Sequence, residues 1–189
     1  MASERGKIRV GTVIEPRELE TITGERIVVP DRELLTHLQF RRFAGCPFCN
    51  LHLRSIEQRH DEIAAAGIRE VVLFHSSAEA LLAHEPEHSF AIVPDPEKRL
   101  YAEFGVRSSV RSELDPRMWP TVARGVGAKV RTLVTRRSLD LDAHGGILGL
   151  PADFLIAPDG EVVARNYGEY AYDQWSVDKL LALVPERVG

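Results

Sequence analysis

From the N-terminus, apolar and polar positions first alternate in short runs. Leu19-Glu20-Thr21-Ile22 and Arg26-Ile27-Val28-Val29 flank Thr23-Gly24-Glu25, which predicts a β-hairpin closed by Pro30-Asp31. Residues 1–18, ahead of it, are polar, contain Pro16 and predict an arm laid over the domain. Leu34 to Phe43 reads as the next strand, with Leu34, Leu38 and Phe40 on one face and His37, Gln39 and Arg41 on the other. A strand buried in a parallel sheet is ordinarily apolar on both faces. The polar face therefore calls for a covering helix with matching polar groups, or for a bulge that breaks the alternation.

The period then changes. Leu53, Ile56, His60 and Ile63 recur at helical spacing, with Leu51 and Ala64 alongside, and predict one helix from Cys46 to Ala66, stopped by Gly67. Glu70 to His75 is a nearly continuous apolar run of strand length, as in a buried parallel strand. Ser76 or Ser77 can cap a helix over Ala78–His84. A short strand over Ser89–Val93 and a helix over Glu97–Phe104, stopped by Gly105, complete an alternating order. Such alternation predicts an α/β sheet, mixed in direction, with helices on both faces.

Arg107 to Leu150 differs: periodicity weakens, and Arg107, Arg111, Arg117, Arg124, Lys129, Arg131, Arg136 and Arg137 make it basic. It reads as an insertion, 107–150, with a helical stretch over Val122–Val134, serving as a lid or as the contact of a homodimer. A solvated basic surface explains it equally well. Regular patterning returns with a strand over Asp153–Ala157, the turn Pro158-Asp159-Gly160 and an antiparallel partner over Glu161–Asn166. Ser176 caps a last helix to Val184, with Val177, Leu180, Leu181 and Val184 as its apolar stripe.

Composition narrows the classes. A chain of 189 residues, 44% hydrophobic and 28% charged, suits one domain, 1–189, with a full core. A net charge of -4 leaves no footprint for nucleic acid. No run approaches the about 18 apolar residues of a membrane span. Met1 to Val10, with Glu4, Arg5, Lys7 and Arg9, is no secretory signal, so a cytoplasmic location is expected.

The chemistry concentrates at Cys46-Pro47-Phe48-Cys49, the chain's two cysteines, at a strand-to-helix junction. Residues i and i+3 of a helix lie on neighbouring faces, so the two sulfurs can meet. Free N–H groups and the positive dipole end favour a thiolate there, the species that attacks disulfides and peroxides. Pro47 suits the first helical position, where its missing N–H would be unpaired anyway. Cys46 is thus expected to be the more exposed nucleophile, and Cys49, one turn in, the resolving thiol. Two other readings stay open. A structural zinc needs about four ligands, so His52 and another histidine would have to join the cysteines. Two inert buried cysteines can also fall at this spacing. Arg41 and Arg42 either raise thiolate character or face solvent. His52, His60 and His144 read as ordinary surface or core histidines, and no cluster suggests a metal or other cofactor.

Together these residues resemble the thioredoxin superfamily, in particular its peroxiredoxin-like branch of alkyl hydroperoxide reductase and thiol-specific antioxidant relatives. The resemblance rests on the strand–Cys46-Pro47-Phe48-Cys49–helix unit, on Gly149-Leu150-Pro151 before a strand, on the hairpin Phe154–Val163 and on the terminal helix. Arg41-Arg42-Phe43 before Gly45-Cys46 also resembles the prostamide/prostaglandin F synthase-like subset. The resemblance implies a thioredoxin-like fold and thiol–disulfide oxidoreductase activity, with a thioredoxin-type or low-molecular-weight thiol as reductant. It implies a cis Pro151 beside the sulfurs, with the Leu150 backbone presented to an extended substrate. Pro47, Phe48, Leu150, Pro151, Arg41 and Arg42 then form the substrate-binding set around Cys46 and Cys49. Peroxiredoxins place a threonine three residues and a proline seven residues before the peroxidatic cysteine. Those places hold Phe43 and Gln39 counted from Cys46, or Cys46 and Arg42 counted from Cys49. The dithiol therefore favours disulfide exchange. Reduction of hydrogen or lipid peroxides, and a non-catalytic thioredoxin-like binding module, are the alternatives.

Overall fold

Two short strands, β1 (Arg17–Glu20) and β2 (Arg26–Val29), pair antiparallel beside a five-stranded sheet. The computed structural model describes residues 6–84, 88–106 and 149–185, with only the backbone of Pro47 and Phe48. Most of the expected 107–150 insertion, its Val122–Val134 helix and His144 lie outside the described residues.

The larger sheet comprises β3 (Leu35–Phe40), β4 (Ile68–Phe74), β5 (Ala91–Pro94), β6 (Ala152–Ile156) and β7 (Val162–Tyr167). Its order is β5-β4-β3-β6-β7, parallel from β3 to β5 and antiparallel across β3–β6 and β6–β7. The mixed sheet expected from the sequence is present, with β3 at its centre and β4 beside it.

The alternation along β3 sorts its side chains between two cores. Leu38 and Phe40 join Ile27, Val29, Val71, Leu73, Phe104 and Phe154 on one face. That face is covered by the β1–β2 hairpin and by α4 (Arg99–Glu103). The opposite face carries α1 (Pro47–Gln58), α2 (His60–Ala65), α3 (Ala78–His84) and α5 (Val177–Leu181), through Leu53, Ile56, Ile63, Leu81, Val177 and Leu180. His37, Gln39 and Arg41 fall beneath these helices and are fully buried.

Several expected boundaries move for local reasons. The single helix over Cys46–Ala66 is two, divided at Arg59, whose φ of -118° and ψ of 21° leave the helical region. The Arg59 guanidinium is instead spread between Glu62 and Asp178 of α5. Gly67, at φ 76°, ends α2 as expected, because the left-handed region costs glycine little. Strand β1 stops at Glu20, since Thr21 closes the hairpin turn: its N–H donates to Glu25 O, and its hydroxyl accepts Glu25 N–H. Ser176 caps α5 by accepting Lys179 N–H, and α3 runs over the expected residues.

The N-terminal arm is laid along the start of β7. Gly11 and Ile14 donate to Val162 O and Gly160 O, and Val162 returns a hydrogen bond to Thr12 O. Gly160 turns the β6–β7 hairpin at φ +90°, where a Cβ would sit 2.4 Å from Ile14 O. On the far side Asp95 caps α4 by accepting three backbone N–H groups, from Arg99, Leu100 and Tyr101. This holds Tyr101 with its hydroxyl 2.5 Å from Arg41 O and 2.9 Å from Leu73 O, bridging β3 and β4 just where the strands give way to the cysteine loop.

Candidate active site

Strand β3 ends at Phe40, and the chain turns through Arg42–Gly45 into α1, where Cys46 is the N-cap. Its backbone is extended (φ -60°, ψ 117°), and its sulfur accepts the Cys49 N–H at 3.4 Å. A sulfur thus occupies the place a Ser or Asp oxygen usually takes at a helix start, and meets one of the N–H groups that have no partner within the helix. Pro47 follows as the first helical residue, as expected. The Cys49 sulfur lies 2.9 Å from that of Cys46; both are free thiols, and Cys49 donates to Cys46. Burial raises the Cys49 thiol well above the ordinary range, and the hydrogen bond to Cys46 and the nearby Cys46 charge add to it, against a smaller opposing pull from Arg42. Cys49 therefore keeps its proton at neutral pH.

The expected exposure of Cys46 is corrected: both cysteines are 0% exposed. The cap turns the Cys46 sulfur inward over its own helix, into a core that includes Phe43, Ala44 and Leu53. Arg41 and Arg42 do not face solvent either, being 0% and 2% exposed.

Arg41 belongs to a buried polar cluster directly under α1. One guanidinium nitrogen lies 2.6 Å from Asp153 Oδ1 and 3.2 Å from His52 Nε2, and also donates to Gln39 Oε1. His37 Nδ1 lies 2.8 Å from Glu70, its Nε2 3.4 Å from Asp153, and its ring stacks on Trp175 at 5.6 Å. Gln39 donates to Glu70 as well. Burial alone would lower the His37 pKa, but the Glu70 charge and the contacts with both carboxylates raise it to about 9. Burial would likewise raise Asp153, yet Arg41 and His37 hold it far below the carboxylate range. His52 moves the other way, to about 3, because it is buried and faces the Arg41 charge. An arginine can only donate, so His52 Nε2 accepts and the ring is neutral. That agrees with the expectation of a core histidine, and it turns His52 away from a zinc site. Among the described residues no group of His, Cys, Asp and Glu is arranged to hold a metal.

The family model described as AhpC/TSA antioxidant enzyme matches residues 55–169, more than half of the chain. The chain belongs to that family. It is a thiol-dependent oxidoreductase of peroxiredoxin-like type. The matched span begins after Cys49, so the dithiol rests on the geometry above. No curated protein matches the sequence.

Solved structures similar to this AhpC/TSA member share its thioredoxin-like fold. Peroxidoxin BcpB from Mycobacterium tuberculosis is 16% identical, with TM-score 0.66, over 94% of this chain and 96% of the other. A putative thiol:disulfide interchange protein DsbE from Chlorobium tepidum is 17% identical, with TM-score 0.59, over 95% and 100%. The reduced 2-Cys peroxiredoxin of Plasmodium vivax is 13% identical, with TM-score 0.64, over 93% and 79%.

One feature implied by the family resemblance is corrected. The cis peptide bond among the described residues is Val29–Pro30, and Leu150–Pro151 is trans. Pro151 is buried and leads straight into β6; its carbonyl accepts the Gly168 N–H at 2.9 Å, so its backbone is already committed to the β6–β7 edge. Leu150 is half-buried, and Phe48 contributes only its backbone to the description. Gly149, just ahead, lies against Arg42 and His75. Sequence reasoning missed Glu70, His75, Tyr101 and Asp153. The one available signal was a polar residue at each end of the apolar run Glu70–His75 and another opening the strand at Asp153.

Proposed function

We propose that this enzyme is a dithiol reductase in which Cys46 is the nucleophile and Cys49 the resolving thiol. The observation that carries the reading is the asymmetric sulfur pair: Cys46 caps the helix and accepts two hydrogen bonds, while Cys49 holds the shared proton 2.9 Å away. The Cys46 thiolate attacks a disulfide sulfur; the Cys46 S–S bond forms, the substrate S–S bond breaks, and one thiolate leaves. Cys49 then gives up its proton and attacks Cys46, releasing the second thiol and leaving an intramolecular disulfide. With a hydroperoxide the first step gives a sulfenic acid on Cys46 and an alkoxide that takes a proton from solvent to become the alcohol, and Cys49 then displaces water from the sulfenic acid. A thioredoxin-type or low-molecular-weight thiol returns the two electrons, which fits a reducing compartment such as the cytoplasm. Disulfide exchange is the preferred reaction, because Phe43 and Gln39 stand where peroxiredoxins place threonine and proline. Membership of an antioxidant-enzyme family favours peroxide as the second substrate.

The test is mild oxidation followed by thiol blocking and intact mass. Both thiols should disappear together at monomer mass. Two freely alkylated thiols at every potential would sink the dithiol reading. Turnover on a protein disulfide, hydrogen peroxide and a lipid hydroperoxide, each with a thioredoxin-type reductant, then ranks the substrates.

A further inference from the structure

His75 is 1% exposed, yet neither ring nitrogen has a hydrogen-bond partner among the described residues. A buried polar group left unpaired is destabilising, and such groups in native structures call for an explanation. The explanation offered by its position is chemical. His75 follows β4 directly and is tied to the cysteine loop at two points. Its N–H donates to Arg42 O at 3.2 Å, and the adjacent Ser76 hydroxyl accepts the Ala44 N–H at 3.0 Å, two residues before Cys46. One flank of the imidazole is fixed edge-on to Tyr101, at 5.6 Å and 78°. On another side stands Gly149, where a Cβ would come within 3.0 Å of Nε2 and 3.6 Å of Arg42 Cγ. The glycine keeps Nε2 from being crowded. Arg42 acts electrostatically on both Cys49 and His75, so the three share one environment.

We propose that the His75 imidazole donates a hydrogen bond to the leaving atom of the substrate as Cys46 attacks, the leaving atom being the thiolate sulfur of a disulfide or the alkoxide oxygen of a hydroperoxide. This rests on the dithiol reading. Burial, with Lys98 and Arg42 nearby, lowers the His75 pKa to about 4, so the ring is neutral at pH 7 and carries one N–H. A neutral imidazole keeps one N–H that can donate to a developing anion. In the disulfide reaction the bond from Cys46 to the first substrate sulfur forms as the substrate S–S bond breaks, and the electron pair goes to the second sulfur. The dithiol supplies both electrons; the released anion takes up the proton that Cys49 must lose in the resolving step, and solvent supplies the second proton, replacing the one Cys46 gave up on ionising. The hydroperoxide reaction follows the same balance, with the O–O bond breaking and the alkoxide leaving.

The experiment varies the leaving group. Reduced wild type, His75→Phe and His75→Gln are reacted with an aromatic disulfide whose thiolate needs little stabilisation, with glutathione disulfide and with tert-butyl hydroperoxide. The His75→Phe variant should slow the last two by roughly 10²-fold while holding the aromatic disulfide within about two-fold, and His75→Gln, which keeps an N–H donor, should recover part of the loss. A loss confined to the alkyl disulfide or to the hydroperoxide supports the proposal and identifies the leaving atom. Equal slowing with all three substrates, or none, overturns it. A wild type that fails to react with even the aromatic disulfide would remove the dithiol reading itself.

Discussion

Two identical side chains separated by one helical turn carry different chemistry here. Cys46 stands where helix N–H groups lack partners, and Cys49 stands where the helical ladder has begun. The consequence is measurable by alkylation against pH. With Cys49→Ser, the remaining Cys46, itself 0% exposed, should react with iodoacetamide at a rate limited by access, but should stay reactive at lower pH than Cys49 does in the reciprocal variant. With Cys46→Ser, the remaining Cys49 should react slowly until the pH exceeds 9.0, because burial, the largest cause of its raised pKa, survives the substitution. A fast, low-pH thiol in the Cys49-only protein would reverse the assignment. The spacing of the pair was legible in the sequence, since it follows from helix periodicity alone. The burial of Cys46 was not, because it depends on which way a cap residue turns within a tertiary core.

At the scale of elements, β3 decides what lies under the dithiol helix. Its polar alternation at His37, Gln39 and Arg41 was legible; the partners were not, because Glu70 comes from β4, His52 from α1 and Asp153 from β6. Three segments far apart in sequence supply one charge-balanced cluster, and no local pattern encodes that meeting. Removing one member leaves a buried charge uncompensated, so Asp153→Ala should cost about 3–5 kcal/mol of stability, read as a lower urea midpoint. Replacing Arg41 and Asp153 together with apolar residues of matching volume should cost less than either single change. A surface-like loss below about 0.5 kcal/mol for Asp153→Ala would contradict the cluster. The hairpin between β6 and β7 makes a second case. Gly160→Ala meets both a positive φ and the Ile14 carbonyl, and should destabilise by about 1–3 kcal/mol in the same measurement.

Across the whole molecule the buried histidines set how stability follows pH. His52 and His75 have pKa values held down to about 3 and about 4, against 6.5 for an ordinary histidine. Below pH 6.5 the unfolded chain therefore takes up protons that the folded chain refuses, so their contribution is present above 6.5 and is lost as pH falls towards those values. Asp153, held low by Arg41 and His37, adds loss in the same direction at more acidic pH. His37 works oppositely. With its pKa raised to about 9, the folded chain keeps a proton that the unfolded chain releases above 6.5. Its contribution is complete below 6.5 and is lost as pH rises through 9. Stability should therefore peak near neutrality and decline on both sides. Urea unfolding across this range should show an alkaline decline that His37→Asn flattens and an acid decline that His52→Gln reduces. Each variant will also be less stable throughout, because each removes a partner from the cluster, so the slope rather than the midpoint carries the test. An unchanged alkaline slope in His37→Asn would mean that His37 is neutral in the fold, and the charge balance assigned to Glu70, His37, Asp153 and Arg41 would then be wrong.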